Sequence, residues 1–185
     1  MKVIIGLGNP GKEYENTRHN AGFLFIDALA KKLGLDFKLN KKLKAEIAKD
    51  ASWLLIKPQT FMNLSGQAVK ATLNYYLPPE NHPRSKPRPQ LPSDNYLLLV
   101  HDDLDLPLGE SKLVFTKGPK KHNGVLSVEK HLGTNQFWRL RLGVNNRPLT
   151  WQGSGADYVL SRFSKEELNL INLVIEKLSN EILFG

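Results

Sequence analysis

The sequence predicts an α/β fold built on one mixed sheet. Two observations predict it. Short apolar runs ending in Gly, Pro or Asp alternate along the chain with segments whose apolar residues recur at helical spacing. The chain has 185 residues, 41% hydrophobic and 24% charged, which suits one ordinary globular core. No internal repeat interrupts the alternation. One stretch stands apart: PPENHPRSKPRPQLPSDN (78–95) carries six prolines and little that can pack. It is expected to be an insertion loop on a single domain spanning 1–185.

The elements follow in order. Val3, Ile4, Ile5, Gly6 and Leu7 read as a buried strand, and Gly8-Asn9-Pro10-Gly11 as the turn after it. Asn20 is placed as the N-cap of a helix carrying Phe23, Ile26, Leu29, Ala30 and Leu33, with Gly34 as its stop. Residues 45–48 and 53–56 form a strand pair turning near Asp50. A second helix, 62–76, aligns Ala68, Val69, Leu73 and Tyr76 on one side, and Pro78-Pro79 ends it. Then comes a buried strand at 96–100, with His101-Asp102-Asp103 at its C-terminal end, and another strand at 112–115. A short helix at 122–132 stops at Gly133. In the strand 138–144, Trp138, Leu140, Leu142 and Val144 face one way while Arg139 and Arg141 face the other. Ser164 and Glu167 form a capping box for a last helix carrying Leu168, Ile171, Val174, Ile175 and Leu178.

Bulk composition narrows the chemistry. There is no cysteine, which excludes disulfides, Cys-ligated zinc, iron–sulfur clusters and a thiol nucleophile. The N-terminal segment MKVIIGLGNPGKEY lacks the apolar core and cleavage site of a signal peptide, and no apolar run is long enough to span a membrane. The cytoplasm is the expected compartment. A formal charge of +8 points to a polyanionic partner, nucleic acid first.

Several side chains could carry chemistry. Gly6-x-Gly8-x-x-Gly11 matches the dinucleotide fingerprint, but Pro10 and residues 12–19 delay the helix that should receive a pyrophosphate. Tight-loop glycines are the simpler reading. Asn9, Asn20, Asn63 and Asn123 each lie at a turn or helix start. Caps explain them singly; converging on one cleft, their amides could hold a water, a carbonyl or a ribose. Of five histidines, His19 precedes the first long helix, and Asp102 lies at a strand end where open sheets gather their sites. An imidazole oriented by a carboxylate can activate water near neutral pH. Asp102, Asp103 and Asp105 could instead hold Mg²⁺, although strand alternation points the first two apart. No serine elbow or phosphate-binding Gly-rich loop appears. Lys112, Lys117, Lys120, Lys121, Arg139 and Arg141 flank this region in sequence and read as a phosphate-tracking surface. A second group, Lys38, Lys41, Lys42, Lys44 and Lys49, reads as an ordinary solvated face.

Five segments together resemble the bacterial peptidyl-tRNA hydrolase family: GLGNPGKEYENTRHNAGF (6–23), KPQTFMNLSGQAV (57–69), VHDDLDLPLG (100–109), HNGVLSVEKHLG (122–133) and FWRLRLGV (137–144). The resemblance implies a single-domain three-layer sandwich, its central mixed, mostly parallel twisted sheet flanked by helices. It implies hydrolysis of the ester between peptide and the tRNA 3′ ribose, without metal or organic cofactor, by a cytoplasmic monomer. His19 would be the general base, Asp102 its orienting partner, and Asn9 would place ester or water. Asn63 would bind the peptide backbone with Met62 packing beside it. Asn123 would hold a water or the peptide, and Tyr14 would pack near the terminal adenosine. Chloroplast splicing factors share the scaffold without the enzymatic task.

Three departures from the family pattern stand out. The loop TKGPKKHNG (116–124) carries Pro119, Lys120 and Lys121 where the family is glycine-rich, predicting a stiffer gate and tighter phosphate contact. Val114 aligns where the family often places a Lys for the tRNA 5′ phosphate, leaving Lys112, Lys117 or Arg141 to substitute. Residues 78–95 enlarge a connection that is usually short.

Overall fold

The computed structural model describes residues 1–77, 96–119 and 121–184. The Pro-rich stretch 78–95 and Lys120 therefore lie outside the described residues.

Among the described residues twelve α-helices and strands follow one another: β1 (Lys2–Gly6), α1 (Ala21–Leu33), β2 (Lys38–Asn40), β3 (Ala45–Lys49), β4 (Trp53–Pro58), α2 (Ser65–Tyr76), β5 (Leu97–Pro107), β6 (Ser111–Phe115), α3 (Asn123–Leu132), β7 (Trp138–Asn145), α4 (Gly155–Leu160) and α5 (Lys165–Phe184). The strands form one seven-stranded sheet in the order β2-β3-β4-β1-β5-β7-β6. Its centre is parallel, β4-β1-β5-β7, and both edges are antiparallel. The expected mixed sheet is thus parallel only where both faces are covered, as burial of both strand faces requires.

Two cores make the three layers. On one face, Phe25, Ile26 and Leu29 of α1 and Ile171 and Ile175 of α5 pack over Ile4, Leu98, Val100 and Leu140. On the other, Val69 and Leu73 of α2 and Val125 and Val128 of α3 pack over Ile5, Ile56 and Leu99. Successive residues of β1 and β5 enter opposite cores, which is why these central strands read as unbroken apolar runs. Among the described residues no helix is long and apolar enough to cross a membrane.

Two features position the site. First, β1 ends at Gly6 opposite Val100, while β5 continues to Pro107 beside β7. The acidic run expected at a strand end lies inside the strand, because β7 goes on pairing with it: Asp102 faces Leu142 and Asp103 faces Gly143. A step is left in the sheet edge above β1. Second, α1 starts directly over that step. A Cβ on Gly22 would lie 2.4 Å from the Val100 carbonyl oxygen, so only glycine lets the helix approach the strands this closely. The residues just before α1 are thereby delivered to the step.

Candidate active site

His19 sits on the 3-10 turn Arg18–Asn20 that leads into α1. The turn is locked from behind by Arg18, a buried guanidinium. Its Nη1 donates to Ser161 Oγ at 2.7 Å and to the Arg162 carbonyl at 2.8 Å, and its Nη2 meets Glu167 at 2.6 Å. It also lies 4.1 Å over the Tyr158 ring. The corner between α4 and α5 is thus tied to the turn that carries His19.

His19 Nδ1 stands 2.8 Å from Asp102 Oδ1. A carboxylate only accepts, so Nδ1 carries the proton and Nε2 keeps a lone pair. Burial disfavours the charged imidazole, but the charge and hydrogen bond of Asp102 outweigh it, and the His19 pKa lies above its usual 6.5. Asp102 is 2% exposed. Burial would raise its pKa; the two imidazoles beside it, His19 and His122, more than reverse that and hold it well below the carboxylate range.

His122 is the residue that sequence reasoning missed. It is the N-cap of α3, and its Nδ1 accepts from the backbone N–H groups of Gly124 and Val125. Its proton must then be on Nε2, which stands 2.9 Å from the same Asp102 Oδ1. The only sequence signal was its place beside Asn123, at the mouth of a helix. Behind it, His101 is fully buried, donates from Nδ1 to the Asp102 carbonyl at 2.7 Å, and meets the His122 ring edge-on at 4.9 Å. Burial and the neighbouring His122 push the His101 pKa well down, so it is a neutral buttress.

The asparagines divide their labour. Asn20 does not cap α1 with its side chain. It clamps the Asn9 backbone, accepting from Asn9 N at 2.8 Å and donating to Asn9 O at 3.0 Å. Asn9 in turn accepts the Met62 N–H on Oδ1 at 2.8 Å. This couples the turn after β1 to the segment before α2. Met62 is buried against Gly124, where a Cβ would lie 2.3 Å from its sulfur. Asn63 and Asn123 are both exposed.

A cavity of about 530 Å³ opens on one side of His19 and Asp102, between the β5 extension, Pro119, Lys121 and Asn123 of the loop before and start of α3, and Ala156 and Val159 of α4. Its size is that of a small-molecule pocket, ~300–1,000 Å³. Asn9, Met62 and Asn63 do not line this cavity; the Asn9–Met62 and Asn9–Asn20 hydrogen bonds hold their segment beside the turn that carries His19. Tyr14, expected beside the terminal adenosine, is not brought to the cavity. Gly11, with φ 112°, turns the chain so that Tyr14 meets Phe61 edge-on at 6.3 Å, on the flank of Met62 and Asn63.

The basic residues separate as well. Lys121 lines the cavity, and Lys112 and Lys117 are exposed. Arg139 is only 2% exposed, paired with Glu129 and donating to the Gly118 carbonyl. Arg141 is paired with Asp103. Both were expected on the phosphate-facing surface. Instead, α3 and the loop 116–119 cover their face of β7, and they brace the wall of the cavity. Asp102 and Asp103 take different partners, Asp102 the two imidazoles and Asp103 the guanidinium of Arg141.

His19, Asp102 and His122 are also close enough to ligate a metal together, their ligand atoms lying within 4.8 Å of one another. The hydrogen bonds argue against it. A metal on His122 Nε2 would move the proton to Nδ1, which faces two backbone N–H donors.

The family model described as peptidyl-tRNA hydrolase matches residues 3–184. The chain belongs to the peptidyl-tRNA hydrolase family. A peptidyl-tRNA hydrolase of Polynucleobacter necessarius is 43% identical over 95% of this chain and 86% of its own length. One from Desulfitobacterium hafniense is 41% identical over 96% and 88%. The crystal structure of peptidyl-tRNA hydrolase from Acinetobacter baumannii superposes with a TM-score of 0.83 at 30% identity, covering 98% of this chain and 86% of that one. The family's hydrolase label agrees with a site that holds an imidazole base, an orienting carboxylate and neutral amides.

Proposed function

We propose that this chain hydrolyses the ester between a peptide and the 3′-terminal ribose of tRNA. The observation that carries the reading is the His19–Asp102 contact at 2.8 Å, at the floor of a nucleoside-sized cavity, in a chain of this family.

His19 Nε2 takes a proton from a water as its oxygen attacks the acyl carbon, and the carboxylate of Asp102 stabilises the imidazolium that forms. The Asn9 Oδ1 is engaged with Met62 N, so its N–H₂ is the group turned toward the carbonyl oxygen. Neutral donors aimed at a developing oxyanion are a large part of acyl-transfer catalysis. Collapse of the tetrahedral intermediate expels the ribose hydroxyl, which is protonated at the expense of His19.

The 3′-terminal nucleoside occupies the cavity, with Asn123 at its edge. Lys121 and Lys112 meet phosphates, and Lys117 extends that surface. The peptide then leaves on the opposite flank, where Asn63 contacts its first amide and Tyr14 and Phe61 pack its side chain. No metal or cofactor takes part, and the chain acts as a monomer in the cytoplasm.

The test is release of an N-acetylated aminoacyl group from tRNA, with unblocked aminoacyl-tRNA as the control. Rapid release from the first and slow release from the second is expected. Tight tRNA binding without release would instead assign the chain to the non-catalytic scaffolds.

A further inference from the structure

Three lysines of the second group, Lys41, Lys42 and Lys44, sit between β2 and β3. The turn between β2 and β3 projects from the same sheet edge as the catalytic pair. β3 runs antiparallel to β4, so Ala45, just after the turn, lies opposite Pro58 at the end of β4. The Gln59 N–H donates to the Lys44 carbonyl at 2.7 Å. Asn63 is four residues further along, so the two are no more than about 14 Å apart along the chain.

The turn is built to hold its shape. Leu43 is 9% exposed and packs into the α2–α3 core. Its N–H donates to Asn40 Oδ1 at 3.1 Å. Lys44 takes a left-handed conformation with φ 51°. Around that anchor Lys41, Lys42 and Lys44 are all exposed. Among the described residues none of the three enters an ion pair. The acidic neighbour on the hairpin, Glu46, is already held by Lys57 at 3.0 Å and Gln59 at 3.3 Å. Three cations therefore stand on an anchored tip with no counter-charge among the described residues.

We propose that this tip selects the peptide half of the substrate, favouring Asp and Glu from about the third residue upstream of the ester. The inference rests on the function proposed above. The two halves of an ester leave its acyl carbon in opposite directions. The cavity, Lys121 and Lys112 lie on the β7–β6 side of the catalytic pair, and the hairpin lies on the β4–β3 side beyond Asn63. An extended peptide advances ~3.3–3.6 Å per residue, so at most about four residues beyond Asn63 span the distance to the tip. Carboxylates there meet unpaired ammonium groups in water, where each contact is weak and several add up.

The experiment compares N-acetyl-aminoacyl-tRNA with three pentapeptidyl-tRNAs on the same tRNA, carrying Glu, Gln or Lys at the third to fifth positions from the ester. The variant is Lys41→Gln, Lys42→Gln, Lys44→Asn, with asparagine chosen because it tolerates positive φ. In the native protein the Glu peptide should show kcat/KM about three- to tenfold above the Lys peptide, through KM, and the gap should shrink as salt rises. The variant should lose the gap and keep full turnover of N-acetyl-aminoacyl-tRNA. Equal rates on all three peptides in the native protein would overturn the proposal while leaving the hydrolase reading intact. A variant that slows every substrate equally, including the short one, would place the tip on tRNA and overturn it too. Failure to cleave any of the four would remove the hydrolase reading itself, and this proposal with it.

Discussion

His19 and His122 present their N–H groups to the same oxygen, Asp102 Oδ1, at 2.8 and 2.9 Å. One histidine comes from the entry to α1 and the other from the N-terminus of α3, so the two helical layers meet on one carboxylate above the step in the sheet. This sharing explains why Asp102 stays charged although it is buried, and it fixes both ring orientations.

Removing either end of the His19–Asp102 pair should abolish the base without unfolding the chain. His19→Ala and Asp102→Asn are each expected to lower kcat by about 10²–10⁴-fold, the usual worth of a positioned base. Thermal midpoints near that of the native protein would show that the loss is chemical. Full turnover in His19→Ala would end the proposed mechanism.

The pH profile follows from the sign of the His19 shift. The base works only when Nε2 is free, so kcat/KM should rise with pH through a pKa above 6.5. Asp102 is what raises that pKa, and burial opposes it. In Asp102→Asn only burial is left, so the acidic limb should move to lower pH while the plateau falls. An acidic limb that stays in place would separate the observed titration from His19.

Much of this was legible in the residues, and the misses have physical causes. His19 and Asp102 were found because strand ends and helix starts gather sites. Asp102 nevertheless lies inside β5, since pairing with β7 carries Asp and Pro residues that alone signal a turn. The helix start at Ala21 was right, but Asn20 turned its side chain to Asn9, a contact across eleven residues that no local pattern encodes. β2 and α4 were missed because elements of three and six residues carry little periodicity. Alternation placed Arg139 opposite Trp138, but it could not tell that Glu129 and Gly118 would cover that face. His122 acts only once α3 docks on β5.

Chelation should leave the enzyme unaffected. The tautomer held by Gly124 and Val125 keeps a proton on His122 Nε2, where a metal would have to bind. Unchanged release of N-acetyl-aminoacyl groups after dialysis against a chelator is the expected result. Loss of activity restored by Mg²⁺ would point instead to metal-assisted cleavage.

Arg18 makes a stability prediction. Its side chain in the pair with Glu167 is 7% exposed and that of Glu167 is 11%. Arg18→Leu would leave Glu167 and the Ser161 and Arg162 contacts without their partner, at a cost of about 3 kcal/mol or more. Denaturant midpoints measure this. Because the same guanidinium ties the α4–α5 corner to the His19 turn, kcat should fall as well, even at temperatures where the variant is fully folded.

His122→Asn should move the pH profile in the opposite direction to Asp102→Asn. Asparagine can still accept the α3 backbone N–H groups from the cap position, but it is too short to donate to Asp102. The carboxylate then loses one of its two N–H donors, and its charge falls more fully on His19. The imidazolium of His19 becomes easier to form, so the acidic limb of kcat/KM should shift upward. Near pH 7 the variant would look impaired, and part of the loss would be recovered at higher pH. A drop in rate with no upward shift would mean that His122 holds Asp102 in place without tuning its charge.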